Sequence, residues 1–365
     1  MPNIEEQIRE IEEEIRRTDY NKKTQHHIGL LKAKLARLRI EAEKRKGGGG
    51  GEGYAVKKSG NATVSLVGFP SVGKSTVLNK ITNATSEVAP YAFTTLTVIP
   101  GLLEYRGARI QILDLPGIIK DASKGKGRGR EVLSVVRSSD LIILMVDVFE
   151  NNVDILLQEL QASGIRLNSR PPRVTITKRS RGGISVSYTV QNPQLSEADI
   201  KSILGEFGYY NADVVIREDV DADRLIDVLA GNRVYVQGFL CINKIDLVDE
   251  ATRNELLHRF AHLNPIAISA EKGIGLEELK QKIFDSLNFI RVFLKPPGKE
   301  ADMKEPLLVR GGSTVGDVCE YLHRDMRRKF RYALVWGPSS RFPGQTVGLD
   351  HTVQDGDILT IVSRK

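Results

Sequence analysis

The segment Gly68-Phe69-Pro70-Ser71-Val72-Gly73-Lys74-Ser75 fits the pattern G-x-x-x-x-G-K-[ST]. Glycines at its two ends let the backbone wrap an anion with N–H groups turned inward. A lysine there reaches the outer phosphates of a nucleotide, and the following hydroxyl suits Mg²⁺. The context is the one the motif needs. Residues 62–67 are an apolar run with the signature of a buried strand, and Thr76–Ile81 opens a helical pattern whose amino terminus adds positive dipole. Gly68, Pro70, Ser71, Val72, Gly73, Lys74, Ser75 and Thr76 are therefore the expected phosphate contacts.

A phosphate loop does not select a base, but Asn243-Lys244-Ile245-Asp246 does. It follows the apolar run 239–242, which places it at the carboxyl end of a strand, where open α/β sheets bind ligands. A carboxylate at Asp246 accepts from guanine N1–H and the 2-amino group, and adenine offers neither donor. Asn243 suits another polar edge of the base, and the Lys244 stem covers the ring. Ser269-Ala270-Glu271, after the run Ile266–Ile268, is placed to present a backbone N–H to guanine O6. Asp114-Leu115-Pro116-Gly117 ends another apolar run. Asp114 is placed to hold Mg²⁺ through water, and the Gly117 N–H to touch the γ-phosphate. Between these motifs, Thr94-Thr95 lies in a stretch without helix or strand signal, and Thr95 is expected to close on Mg²⁺ and the γ-phosphate. Catalysis would then rest on Lys74, Thr95 and Gly117, and the metal on Ser75, Thr95 and Asp114.

The elements that must position these residues alternate between strand and helix. Strands at 62–67, 110–113, 141–146 and 239–242 with helices between most of them describe an α/β core with a mostly parallel sheet. The region 165–236 interrupts the series with its own strands (174–177, 184–188) and a helix near 198–207, an inserted α/β subdomain. Ahead of the core, Ile4, Ile8, Ile11 and Ile15, and then Leu31, Leu35 and Leu38, form two helical stripes around a polar break at Thr18–Asn21. That pattern predicts a helical hairpin over 1–46. Its second arm carries Lys32, Lys34, Arg37, Arg39, Lys44, Arg45 and Lys46, either a solvated face or an RNA-facing one. The glycine run Gly47–Gly51 makes 47–60 a linker. The core then spans 61–164 and 237–289, and 290–365 reads as a small α+β unit with a strand at 291–294, a helix over 315–324 and a closing strand at 358–362.

The 365 residues carry a formal charge of +7, compatible with a nucleic-acid or ribosome partner and not sufficient to require one. Cys241 and Cys319 are too few and too far apart for a disulfide framework or zinc site, and they read as core residues. The six histidines form no ligand pattern; His258 and His262 read as surface residues. Glu5 and Glu6 stand where a signal peptide would be basic and then apolar, and no apolar stretch reaches the ~18 residues of a membrane span. The expected location is the cytoplasm, with no membrane partner and no DNA specificity.

With these motifs in view, the sequence resembles the developmentally regulated GTP-binding (DRG) proteins of the Obg-type GTPases, over essentially its whole length. Ala92–Gly101 looks like that group's first switch, and Asp114–Ile119 with Gly125–Arg130 looks like its second. The resemblance implies a P-loop NTPase core of the Ras-like GTPase type, GTP hydrolysis with Mg²⁺, and an inserted ribosomal-protein-like subdomain. It also implies a C-terminal TGS domain of β-grasp fold, to which Val353–Val362 is similar. Members are associated with translation, and eukaryotic ones bind a stabilising protein partner. Two positions depart from the family's pattern: Lys120-Asp121 stands where relatives carry Glu-Gly, and Ser71 stands where K⁺-activated members often carry Asn. Activation by K⁺ stays open.

Ile118 follows Gly117, where Ras-like GTPases place a water-orienting Gln. An isoleucine cannot hydrogen-bond a water, so slow intrinsic hydrolysis is expected. The help would come from a cation, a switch residue or a partner. The run Lys120–Arg130 and the cluster Arg324, Arg327, Arg328, Lys329 and Arg331 are basic, with no interleaved aromatics of a single-strand reader. Two functions fit: a GTPase whose turnover drives a ribosome or RNA step, and a GTP-dependent binding module whose hydrolysis only resets it.

Overall fold

The computed structural model describes residues 3–19, 21, 24–46, 60–82, 99–115, 129–191, 193–304 and 306–363. In chain order the described elements begin with α1 (Ile4–Arg17), α2 (Gln25–Lys46), β1 (Ala62–Gly68), α3 (Lys74–Ile81), β2 (Ile99–Tyr105) and β3 (Ala108–Asp114). There follow α4 (Gly129–Arg137), β4 (Leu141–Asp147), α5 (Val153–Ala162), β5 (Ile165–Leu167), β6 (Val174–Lys178), β7 (Ile184–Tyr188), α6 (Glu197–Glu206), β8 (Ala212–Ile216) and α7 (Ala222–Ala230). The chain continues through β9 (Val234–Asn243), α8 (Glu250–Arg259), β10 (Ile266–Ala267), α9 (Leu276–Ser286), β11 (Phe289–Leu294) and β12 (Leu307–Arg310). It ends with α10 (Val315–Leu322), α11 (Arg324–Lys329), β13 (Phe330–Trp336), β14 (Gln345–Val347) and β15 (Asp357–Ser363). These elements form two compact units, Met1–Gly53 with Gly164–Tyr235, and Tyr54–Ser163 with Val236–Lys365.

In the first unit, α1 and α2 close their apolar stripes on each other. Ile11, Leu31 and Leu38 are buried between them, with Ile4, Ile8, Ile15 and Leu35 packed around. Asn3 and Glu6 cap α1 reciprocally, which fixes its start. The other side of α2 enters a second core through Ala33, beside Ile200, Leu204, Val214 and Leu225. That core belongs to a three-stranded sheet, order β6-β8-β7, with α6 and α7. In β6 and β7, exposure alternates residue by residue, the mark of a sheet with one face packed and the other open.

The second unit holds the main sheet, order β10-β9-β4-β1-β3-β2. All neighbours in it run parallel except β2, which runs antiparallel to β3 at the edge. β1 and β4 are buried along their whole length, as strands covered on both faces must be. Sequence reading placed Ile99, Pro100 and Gly101 in the tail of a switch, whereas the structure puts them in β2. An edge strand tolerates Pro100 because one side of its backbone makes no ladder bond, and that proline hid the strand signal. Residues 92–98, with Thr95, and residues 116–119 and 125–128, with Gly117, lie outside the described residues.

After α9, a five-stranded sheet of order β12-β11-β15-β13-β14 packs Val292, Val335 and Leu359 against Val315, Val318 and Cys319 of α10. Sequence reading placed one helix over 315–324; the structure starts a second helix, α11, after His323, whose ring accepts from Asp325 N at 3.2 Å. This small domain touches the main sheet at its amino end. Arg310 pairs with Asp140, and Asn61 Nδ2 donates to the Tyr321 hydroxyl at 3.4 Å.

Leu204 is fully buried at the centre of the first unit's core. Leu204→Ala should destabilise that unit by about 3 kcal/mol. Urea denaturation followed by a probe in the inserted region checks this, and a change under about 0.5 kcal/mol, the usual size for a surface substitution, would refute the packing described.

Candidate nucleotide-binding site

Strand register sets the site. Leu66 pairs with Asp114, Gly68 with Met145, and Asp147 with Asn243, so the chemistry-bearing residues meet at one carboxyl edge of the sheet. β1 leaves the sheet at Gly68 and α3 begins at Lys74, with the phosphate loop between them. Close approach explains both glycines. A Cβ on Gly68 would lie 2.2 Å from the Met145 carbonyl oxygen, and one on Gly73 would lie 2.2 Å from Asn243 Nδ2. Gly73 also has φ of 95°, which side chains disfavour.

Lys74 is folded over its own loop. Its Nζ donates to the carbonyls of Gly68 at 3.1 Å and Phe69 at 2.8 Å. Burial pushes its pKa down, opposed by the charge of Asp114. Asp114 is pushed up by burial, against the Ser75 hydrogen bond and the Lys74 charge. The Ser75 hydroxyl donates directly to Asp114 Oδ2. A hydroxyl and a carboxylate side by side form the oxygen-only donor set that suits a hard cation such as Mg²⁺.

Asn243, buried at the end of β9, ties the phosphate loop to the base-side loop. Its Nδ2 donates to the Val72 carbonyl at 3.0 Å, and its Oδ1 accepts from Ala270 N at 3.0 Å. Lys244 sits in a left-handed conformation, φ 64°, and sends Nζ to the Ser71 carbonyl at 3.0 Å. The Ser269 hydroxyl bonds the Asp246 carboxylate and holds its pKa low, with Lys272 3.9 Å away adding to this. Asp246 is thereby ionised and aimed, which is what an acceptor for two N–H donors needs. Ser269 is itself fixed by paired backbone bonds with Ile274, both 3.0 Å. Glu271 is exposed, and Ala270 is buried.

The structure thus brings together Gly68, Pro70, Ser71, Val72, Gly73, Lys74, Ser75, Thr76, Asp114, Asn243, Lys244, Asp246, Ser269, Ala270 and Glu271. Sequence reasoning missed Asp147, which holds the Lys244 ammonium at 2.5 Å. The signal was available: it closes an apolar run at the same sheet edge as Gly68 and Asp114.

Residues 63–178 match the family model described as 50S ribosome-binding GTPase, 181–289 the C-terminal region of that domain, and 290–363 the TGS domain. An uncharacterized GTP-binding protein of Methanocaldococcus jannaschii is 58% identical, covering 99% of this chain and 93% of that protein. Developmentally-regulated G-protein 3 of Arabidopsis thaliana is 45% identical over 100% of both chains. A Dictyostelium discoideum homolog of developmentally-regulated GTP-binding protein 2 is 43% identical, covering 99% of this chain and 100% of that one. Among solved structures, Aquifex aeolicus Era bound to GDP and AlF4⁻ matches at TM-score 0.35 and 20% identity, over 75% of this chain and 71% of that one.

Asp246→Asn tests the base assignment. The amide should weaken binding of fluorescent GDP by at least ~100-fold, an unpaired-polar-group penalty, and shift preference towards xanthosine nucleotide, whose 2-oxo group accepts. Unchanged GDP affinity would exclude Asp246 as the base reader.

Proposed function

The chain belongs to the developmentally regulated GTP-binding protein family, a group of P-loop GTPases with a TGS domain, and from that premise we propose that it is a GTP-hydrolysing switch acting on RNA or the ribosome. The observation that carries the nucleotide part is the Asn243 bridge, which locks a phosphate loop and a base-reading loop into one site. In this reading Lys74 leaves the Gly68 and Phe69 carbonyls for the β- and γ-phosphates, and the backbone from Gly68 to Thr76 cradles them. Asp246 and the Ala270 N–H read guanine. Ser75, Asp114 and Thr95 would hold Mg²⁺, which neutralises phosphate charge when bound. Gly117 would meet the γ-phosphate. Residues 1–46 form the helical hairpin, 47–60 the linker, 61–164 with 237–289 the GTPase core, 165–236 the insertion and 290–365 the TGS domain.

The RNA part is supported by where charge is left uncompensated. On α2, several described cations are paired at home: Lys32 with Asp223 at 2.6 Å, Arg39 with Glu12 at 2.7 Å and Arg45 with Glu41 at 2.8 Å. The open face of the β6-β8-β7 sheet is different. Arg173, Thr175, Thr177, Ser185, Ser187 and Arg217 are exposed on it, and Arg170 and Arg181 are exposed at its margin. Among the described residues, the guanidinium groups of Arg170, Arg173, Arg181 and Arg217 have no carboxylate partner, though Arg179 pairs with Asp213. Arginine beside small hydroxyls suits phosphate and 2′-hydroxyl contacts, and the lack of aromatics on the face fits shape reading rather than base stacking. A relation to the 50S ribosome belongs to the matched domain family. Transferred to this chain, it names the particle to try first.

Ile118 predicts slow hydrolysis by the protein alone. GTP turnover should rise at least ~10-fold, about 1.4 kcal/mol of barrier, when ribosomes are added. A comparison of K⁺ with Na⁺ buffers, with and without ribosomes, measures it. Stimulation by K⁺ alone would place the help inside the site despite Ser71. No stimulation by either would favour a GTP-dependent scaffold for a protein partner. Separately, Arg173→Glu with Arg217→Glu should weaken binding of a ribosomal RNA duplex and flatten its log–log salt slope by about 2. An unchanged slope in fluorescence anisotropy would remove the sheet face from the RNA contact.

A further inference from the structure

Asp147 stands outside every motif that identified the site, yet it is among the most buried charges at the sheet's carboxyl edge, 5% exposed. Its two oxygens do different work. Oδ1 accepts from Phe149 N at 2.9 Å and Glu150 N at 2.7 Å, which turns the chain after β4. Oδ2 accepts from Lys244 Nζ at 2.5 Å. The same ammonium donates to the Ser71 carbonyl at 3.0 Å. One lysine head is therefore held at two points, by the end of β4 and by the phosphate loop, while a third of its side chain stays open to solvent.

We propose that Asp147 is a positioning residue for nucleotide binding, pinning the Lys244 head through Oδ2 so that the lysine stem is held ready against a purine ring and the base loop is tied to the phosphate loop. The proposal rests on the nucleotide site described above. A free lysine samples many rotamers, and a ligand that packs on its stem must freeze them on binding. A lysine already fixed at its head removes that cost in advance. The neighbouring backbone matters as well. Lys244 occupies the left-handed region, and the adjacent Asn243 pairs with Asp147 across the β4–β9 ladder, so the pin acts at the turn that aims Asp246. Burial favours the neutral acid at Asp147, but the Lys244 bond and the two loop amides outweigh it and keep the carboxylate charged.

The division of labour supplies the test. Asp147→Asn keeps an oxygen for the Phe149 and Glu150 amides and replaces the lysine's acceptor with an NH₂ group. Lys244→Met keeps the stem and removes the head. Each variant, and the double variant, is loaded with fluorescent GDP and chased with unlabelled GDP, with thermal unfolding of the nucleotide-free proteins alongside. The expected result is GDP release about tenfold faster in Asp147→Asn and in Lys244→Met, with the double variant no faster than the quicker single one. KM for GTP should rise by more than kcat falls. Wild-type release from Asp147→Asn with fast release from Lys244→Met overturns the proposal, as does full additivity in the double variant. Wild-type release from Lys244→Met overturns instead the reading of Lys244 as a nucleotide contact. If Asp147→Asn unfolds early, Asp147→Glu decides: a restored charge that returns release to within about threefold of wild type supports the pin, and a release as fast as that of Lys244→Met counts against it.

Discussion

The Asn243 side chain is the constraint on which the rest of the site depends. One amide, buried between β9 and the phosphate loop, donates to Val72 and accepts from Ala270. Three segments far apart in sequence are thus held by two hydrogen bonds at fixed spacing. The constraint extends to Gly73, because no Cβ fits beside that amide. Neither partner can change alone, since a buried amide left without its partners costs about 1–3 kcal/mol. Lys244 adds a second tie to the same loop through Ser71. The phosphate loop and the 243–246 and 269–271 segments are therefore joined by the protein's own hydrogen bonds, which lowers what a ligand must spend on assembling them.

Much of this was legible in the sequence, for physical reasons. The phosphate loop is read by its glycines because a strand-to-helix turn around an anion tolerates nothing larger at Gly68 and Gly73. Asn243 to Asp246 is legible because it stands directly after an apolar strand, at the edge where open α/β sheets bind ligands. The order of the strands was not legible, because a buried parallel strand such as β4 is apolar along its length and carries no mark of its neighbours. Asp147 was missed for a related reason. Its partner Lys244 is distant in the chain, so only the β4–β9 register reveals the pair. α11 was missed because its basic run has no apolar stripe to show a helical period.

The first unit shows how packing decides what charge read from a sequence can do. α2 looks like a basic arm, and its stripe of leucines looks like one packing face. In the structure it has two packing faces, one on α1 and one in the core with α6 and α7. Its lysines and arginines then meet the acidic residues those helices bring: Asp223, Glu206 and Glu12. The pairs are partly exposed and each contributes little stability. Their consequence is for recognition, since a paired cation has less to offer a phosphate. On and beside the open sheet face, by contrast, Arg170, Arg173, Arg181 and Arg217 have no carboxylate partner among the described residues.

β1 is engaged at both ends. Its carboxyl end becomes the phosphate loop at Gly68. At its amino end Asp140 accepts from Thr63 N at 2.9 Å and also pairs with Arg310 of the C-terminal domain, while Asn61 meets Tyr321 of the same domain. Parallel packing makes this arrangement natural: loops at the carboxyl edge bind the nucleotide, and the amino edge is left for a domain that must not obstruct it. These two contacts are polar, with Arg310 mostly exposed, and beside them the Phe284 ring of α9 meets the Phe289 ring of β11 with centroids 5.9 Å apart. The polar contacts exchange readily for water, and the aromatic one adds apolar burial beside them. A TGS domain docked this way keeps its own core, built on Val292, Val315 and Val335, independent of the contact.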